Sequence, residues 1–417
     1  MEMTVDESSG RAAKVLAGLF GRCETPLAVR IGGETLTFGR GDPECTLVFK
    51  KIEPLRDLIL HGDPVRLAQA YFRGNLDIEG SIYPAIRLKD ELNGYSLEER
   101  IGLLFSALRL KDESGAGAPW EWRAFRRDGG DPIGFHYDVS DGFYRLWLDR
   151  RMVYSCAYFS SPGQSLEAAQ VGKLDLVCRK LRLKPGERFL DIGCGWGALL
   201  QRAATHYGAI AHGVTLSRNQ HRHVSRLIEE NGLSGRVSVD LADYRDLDGE
   251  YDKIASVGMF EHVGLKRLPE YFSTVHRLLK SGGLFLNHGI THEGEGWEKC
   301  AETEFINRYV FPGGELDRVS NILGTMEDAL FEIHDVESLR PHYALTLREW
   351  VRRLESRHDA ALGHVSEGAF RVWRLYMAGS AMQFESGDLG VTQILAVKRR
   401  RGLPHLPLSR CDLVQPS

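Results

Sequence analysis

ERFLDIGCGWGALLQRAATHYG, running from Glu187 to Gly208, is the stretch that decides the fold. It opens as an apolar strand that ends in Asp191, turns through Gly193, Gly195 and Gly197, and runs on as a helix. Strand, glycine turn and helix make the first unit of a nucleotide-binding parallel sheet, where glycine lets a ligand approach the backbone and the helix N-terminus. The alternation continues downstream. AIAHGVTLS reads as strand two, RNQHRHVSRLIEENG as helix, RVSVDLADYRDL as strand three and KIASVGMFEH as strand four. PEYFSTVHRLLKSGG then reads as helix and LFLNHGI as strand five, with GVTQILAVKRR near the end as an antiparallel last strand. Such alternation predicts a doubly wound α/β sheet.

Working outward, the chain divides into a smaller α+β section at 1–115, a linker at 116–135, the patterned region at 136–400 and a tail at 401–417. The first section holds a helix-like start at Ala12 to Phe20, the strands LAVRIGGETLTF and CTLVFKK, the helical DPVRLAQAYFRG and the strand-like NLDIEGSI. The Gly, Asp and Arg content of 112–135 marks it as linker. There is no internal repeat and no low-complexity tract.

At 417 residues, 43% hydrophobic and 26% charged, the composition is that of a soluble globular protein with room for two or three domains. A net charge of −4 argues against a nucleic-acid partner. The seven cysteines have no CxxC pair and no regular spacing, which fits a reducing cytoplasm and neither a zinc site nor a disulfide framework. The first residues lack the apolar run of a secretory signal, and no stretch approaches the ~18 apolar residues of a spanning helix. Contact with lipid is therefore expected at the surface, on the inner face of the membrane. Basic clusters suited to it are Arg145, Arg150 and Arg151, Arg371 and Arg374, and Lys398 to Arg401.

The glycine turn alone leaves the ligand open. A dinucleotide fingerprint needs GxGxxG and an acid at the end of strand two. Here the spacing is GxGxG, and strand two ends in Val214-Thr215-Leu216-Ser217. With Asp243-Tyr244 after strand three, the pattern resembles the class I methyltransferases that use S-adenosylmethionine.

Seven blocks in register narrow the resemblance. They are HYDVSDGFYRLWLD (136–149), YSCAYF (154–159), LDIGCGWGAL (190–199), GVTLSRNQ (213–220), GMFEHVG (258–264), INRYVFPGG (306–314) and HYALTLREW (342–350). They resemble the signature blocks of the cyclopropane-fatty-acyl-phospholipid synthases and the mycolic acid cyclopropane synthases. The resemblance is strong over 136–400, and GDPVRLAQAYFRGNLDIEG resembles the N-terminal sterol-carrier-like lipid-binding module of the longer members. It implies transfer of a methylene from S-adenosylmethionine to the cis double bond of a phospholipid acyl chain. A methylene- or methyl-branched product from the same attack is the alternative. C-methylation of another lipid and a lipid-binding protein that keeps only the cofactor fold are two further ones. A homodimer is also implied.

Physical chemistry sets what such a site must contain. Attack of the alkene on the sulfonium methyl leaves a carbocation on the chain, and closing the ring requires loss of a proton. The site has to exclude water, present aromatic faces to the cation and place a base beside the new methyl. Tyr154, Tyr158 and Phe159, with Phe143, Tyr144 and Trp147 upstream, are expected to form the aromatic wall. The resemblance implies a bicarbonate ion as base, held by Cys156, Glu261, His288, the backbone of Ile290, and Tyr343. For Cys156 the residue pattern alone also allows an inert core filler. The resemblance further implies cofactor contacts from Tyr154, Ser155, Asp191, Gly193, Gly195, Gly197, Thr215, Gln220, Asp243 and Tyr244. No metal ligand set is expected. Two departures stand out: LFLNHGI carries Asn287 and Gly289 where the family more often has Leu and Thr, and Ser380 stands where many members carry cysteine.

Overall fold

A computed structural model describes residues 5–31, 34–61, 64–92, 103, 140–294, 301–311, 313–402 and 406–414. The expected linker at 116–135 and the start of the 136–149 block lie outside these residues. Two compact units emerge. One is drawn from Met1–Asp128, Cys300–Phe305 and Val365–Gly379, the other from Gly129–Lys299, Ile306–His364 and Ser380–Ser417.

The first unit is built on a four-stranded sheet of order β2-β1-β3-β4, with strands β1 (Leu27–Ile31), β2 (Glu34–Phe38), β3 (Cys45–Phe49) and β4 (Leu76–Gly80). Only β1 and β3 run parallel. Helices Val5–Phe20, Glu53–His61, Pro64–Phe72 and Ile82–Leu92 accompany it. Arg371 and Arg374 are 7% exposed and are consumed here. Arg371 Nη1 donates to Tyr71 O at 2.8 Å, and Arg374 Nη2 donates to Gly80 O at 2.9 Å. The expectation that these two arginines offer charge to a membrane is therefore corrected: they bridge backbone carbonyls inside the unit.

The second unit carries a seven-stranded sheet of order β10-β11-β9-β8-β5-β6-β7. Its strands are β5 (Arg188–Ile192), β6 (Ile210–Thr215), β7 (Val237–Leu241), β8 (Tyr251–Val257), β9 (Leu279–His292), β10 (Phe331–Ser338) and β11 (Leu389–Lys398). The pairs among β5, β6, β7, β8 and β9 are parallel, while β11 runs antiparallel to β9 and to β10. The five strands read from the alternation are thus present, and GVTQILAVK is the antiparallel strand expected. Strand β10 is not among the strands read from the alternation. Its residues are mostly half-buried, so the period-2 signal is weak.

Period-2 alternation places the core on both faces. Phe189, Ala211, Leu284, Leu286 and Leu395 pack on one side with Leu174, Val177 and Leu200 from helices Leu166–Lys180 and Ala198–His206. Leu190, Ile192, Ile254, Phe285 and Ile394 pack on the other with Tyr271, Phe272 and Met326. The chain leaves β5 for β6 on one side and reaches β8 on the other, so a crevice opens at the C-terminal ends of β5 and β8, where such sheets bind ligands.

Candidate active site

The glycine turn shapes the crevice first. Gly193, Gly195 and Gly197 have φ of 76°, 53° and 82°, a left-handed run that residues with a Cβ adopt only at a cost. Val214 O takes the N–H of both Gly193 and Cys194, at 3.0 and 3.1 Å, which ties the turn to β6. A Cβ on Gly197 would come within 3.0 Å of Val224, whereas one on Gly195 would meet nothing within 4 Å. Gly195 therefore faces open space, which a ligand can use.

That space is a cavity of about 370 Å³. Tyr154, Ser155, Asp191, Gly193, Gly195, Thr215, Gln220, Asp243 and Tyr244 all line it, so nine of the ten residues assigned to the cofactor meet in one place. Gly197, the tenth, sits at the start of the helix behind the turn. Thr215 Oγ1 donates to Gln220 Oε1 at 2.8 Å, which turns the Gln220 amide NH2 outward as a donor where a dinucleotide site would have an acid. The Asp243 carboxylate, which lines the cavity, also holds an arginine. Arg245 Nη2 and Nε donate to it at 2.7 and 3.0 Å, and this pairing holds its pKa below the usual range.

The floor of the cavity contains a buried charge that sequence reading missed. Lys173, 3% exposed, donates from Nζ to Ser155 Oγ at 3.0 Å, and burial pulls its pKa down to about 8. One turn earlier on the same helix, Gln170 Nε2 donates to Ser155 O at 2.9 Å. Asp149 Oδ1 accepts from Val153 N at 2.8 Å. These three polar groups hold the segment Met152 to Ser155 in place. Asp191, 3% exposed, is pushed up to about 7 by burial, opposed only by the charge of Lys173. A lysine inside an otherwise amphipathic helix reads as surface, and only the packing shows otherwise.

Beside the cavity lies the second constellation. Glu261 sits on the short turn Phe260–His262, between the cavity-lining Met259 and His262. Its Oε1 accepts from Ile290 N at 2.8 Å, while its Oε2 is buried with no partner among the described residues. Burial pushes its pKa up to about 7. His288, two residues before Ile290 on β9, is 2% exposed and held to about 3 by burial and by the charges of Lys173 and Lys180, so it is neutral. Its Nδ1 lies 3.1 Å from Gln393 Nε2 on β11, and Gln393 Oε1 is buried without a partner among the described residues. Gln393 was the polar interruption in GVTQILAV that sequence reading passed over.

Cys156 and Tyr343 enter through helix Arg340–Glu355. Cys156, fully buried, places its thiol 3.2 Å from Ala157 O and 3.8 Å from Leu339 O, and burial pushes its pKa far up. It is a thiol, and not a nucleophilic thiolate. Leu339 N donates to Val391 O at 2.8 Å, and Val391 pairs with Ile290 across the sheet. Cys156, Ile290, Glu261 and His288 are thus linked through one strand end, while the Tyr343 ring packs on Phe384 at 4.7 Å and on Trp350 at 6.1 Å. Two of the expected donors, the Cys156 thiol and the Ile290 N–H, are already engaged within the protein.

The aromatic wall differs in membership. Phe143, Tyr144, Trp147 and Tyr154 do pack together, with Tyr144 to Tyr154 at 5.6 Å and Trp147 to Tyr154 at 5.4 Å. Trp196 and Trp350 join them, at 5.8 Å from Tyr144 and 5.4 Å from Tyr154. Tyr158 instead stacks on His342 at 4.7 Å, and the Phe159 N–H is bound to His342 Nδ1 at 3.0 Å. The Gly289 departure also has a cause. A Cβ there would lie 1.8 Å from Phe260 Cε1, so the ring of Phe260 occupies the space a side chain needs. Ser380, on helix Glu367–Ser386, is 8% exposed. Among the described residues no three His, Cys, Asp or Glu side chains are placed to hold a metal ion, and no helix is long and apolar enough to cross a membrane.

Comparison with known proteins agrees with this geometry. Residues 127–394 match the family model described as mycolic acid cyclopropane synthetase. A probable fatty acid methyltransferase of Pseudomonas putida is 42% identical over 377 residues, covering 89% of this chain and 92% of that protein. Cyclopropane mycolic acid synthase 1 of Mycobacterium tuberculosis is 39% identical over 63% of this chain and 95% of its own length. The crystal structure of mycolic acid cyclopropane synthase CmaA1 complexed with SAH and CTAB is 36% identical, with a TM-score of 0.61 over 64% of this chain and 97% of that one. The fold is that of the class I methyltransferases and the cofactor is S-adenosylmethionine. The chain belongs to the mycolic acid cyclopropane synthetase family.

Proposed function

We propose that the protein transfers a methylene from S-adenosylmethionine to the cis double bond of an unsaturated acyl chain in a phospholipid, closing a cyclopropane ring. The observation that carries this reading is the buried Glu261–His288–Gln393 group set against the cofactor cavity. Methyl transfer to a heteroatom needs no acceptor for a proton from the methyl itself, whereas ring closure does. S-adenosylmethionine supplies an electrophilic methyl in the cavity. Tyr154 and Trp196 line that cavity, with Tyr144 packed behind them, and would exclude water from a developing cation. Glu261 Oε2 and Gln393 Oε1 are buried acceptors without donors, which fits a ligand that brings its own O–H, as bicarbonate does. Glu261, Gln393 and neutral His288 would hold that ion by hydrogen bonds, and Glu261 near half-ionisation at neutral pH can take up or release a proton at Oε2.

The name of the Pseudomonas putida relative favours a second reading, in which the same attack gives a methylene- or methyl-branched chain. The test uses purified protein, S-adenosylmethionine and vesicles of cis-monounsaturated phospholipid, with proton NMR of the released fatty acids. Upfield cyclopropyl protons, lost on Glu261→Gln, are expected. Vinylidene protons would replace the ring by the branched product, and no added carbon would refute the phospholipid reading.

A further inference from the structure

A second concave surface lies on the same unit. It is a groove of about 570 Å³ lined, among the described residues, by Arg145, Arg150, Arg352, Arg353 and Arg357, with Asp149, Glu167, Leu148, Met152 and Ser356. Five guanidiniums face two carboxylates, and both carboxylates are already committed. Asp149, 2% exposed, accepts the N–H groups of Val153 and Arg151 at 2.8 and 3.1 Å. Glu167 is held by Arg353 in a two-point contact at 2.9 and 2.8 Å. Arg352 is paired with Glu349, and Arg357 Nη1 donates to Leu146 O at 2.6 Å. Arg145 and Arg150 are exposed and form no hydrogen bond or ion pair among the described residues.

Such a groove is unlike a solvated charged face in two respects. Arg353 is fixed by both Glu167 and Glu349 and also reaches Leu148 O at 3.2 Å, so part of the cationic wall is preorganised. Met152 lines both this groove and the cofactor cavity, so the two share a wall at that residue. That wall is held in an unusual conformation. Met152 has φ of 59°, and its N–H is bound to Asp149 O at 2.9 Å in a turn that the Asp149 carboxylate closes. The guanidiniums of Arg145 and Arg150 are left to offer two-point hydrogen bonds to phosphate oxygens, with Leu148 and Met152 adding apolar lining.

We propose that this groove binds the phosphate of an anionic phospholipid headgroup and so docks the catalytic unit on the lipid surface beside the cofactor cavity. The proposal rests on the phospholipid reading above and gives the headgroup a place. Its basis is the juxtaposition of unpaired Arg145 and Arg150 with the wall at Met152.

The experiment uses the full chain and vesicles of phosphatidylglycerol and phosphatidylcholine in a 1:3 ratio, against vesicles of phosphatidylcholine alone. Binding is read by co-sedimentation, turnover by the acyl product, and cofactor binding by calorimetry with S-adenosylhomocysteine. Arg145→Ala/Arg150→Ala is expected to bind the anionic vesicles about thirty-fold more weakly, from the loss of two surface charges. The apparent KM for vesicles rises, the S-adenosylhomocysteine Kd and Tm stay unchanged, and Arg145→Lys/Arg150→Lys recovers only part of the binding, because lysine restores the charge without the two-point contact. Equal vesicle binding by the alanine variant and the wild type overturns the groove. So does wild-type binding that is indifferent to phosphatidylglycerol, or millimolar inorganic phosphate protecting the groove in a protein that binds no vesicle. Binding that falls in the variant while the wild type adds no carbon to any vesicle lipid supports the groove and overturns the phospholipid reading. The two failures are therefore separable.

Discussion

Glu261 is expected to cost the protein stability at alkaline pH, and removing its charge should return that stability. Its folded pKa is raised from 4.5 to about 7 by burial, opposed by the backbone N–H of Ile290 at 2.8 Å and by its own backbone N–H. A carboxyl whose folded pKa is raised favours the folded state below the unfolded pKa and loses that contribution as pH climbs through the folded value. Between pH 4.5 and pH 7 the unfolded chain ionises first. A shift of that size, at 1.36 kcal/mol per pH unit, withdraws about 3 kcal/mol by pH 8. Glu261→Gln keeps an oxygen for Ile290 N–H and cannot ionise. The variant should exceed the wild type in unfolding free energy by about 1 kcal/mol near pH 5 and by about 3 kcal/mol near pH 8, while ring formation is lost. Urea unfolding of both proteins from pH 5 to pH 8.5, followed by circular dichroism, measures this directly. A difference between the two that stays flat across the range would refute the burial argument, whatever happened to activity.

Four further perturbations test neighbouring parts of the site. Lys173→Met removes the donor to Ser155 Oγ and the only charge opposing the burial of Asp191, so the S-adenosylhomocysteine Kd should rise about ten-fold by calorimetry. An unchanged Kd would make Lys173 a packing residue. Gln393→Leu leaves His288 Nδ1 without its partner, so kcat should fall about ten-fold with cofactor affinity unchanged; a loss of affinity instead would place Gln393 in the wrong site. Gly197→Ala forces a side chain into φ of 82° and to within 3.0 Å of Val224, and should cost about 1–3 kcal/mol in thermal or urea unfolding. Gly195→Ala, with open space around its Cβ, should cost less stability and more cofactor affinity.

Much of the site was legible because its local chemistry is written in consecutive residues. A glycine at φ of 76°, 53° or 82° leaves a mark in any sequence, and so does a strand that ends in Asp191. Nine of the ten cofactor residues named from motifs line one cavity for that reason. What sequence reading missed shares one property, which is that its role depends on what lies across from it. Lys173 and Gln393 are ordinary polar residues until a helix and an antiparallel strand bury them against Ser155 and His288. Trp350 joins the aromatic wall from a helix about two hundred positions downstream of Tyr154. Arg371 and Arg374 look like surface charge in sequence and are buried against β4.

By itself, then, the sequence determined the doubly wound sheet, the glycine turn and the family, because these follow from period, backbone conformation and short-range spacing. Tertiary structure alone decided which ionisable groups lose their water. Glu261, Asp191, Lys173 and His288 sit near or beyond neutrality because packing removed solvent from groups that would otherwise titrate at ordinary values. Desolvation depends on the neighbours a side chain meets in space, and those neighbours are scattered along the chain.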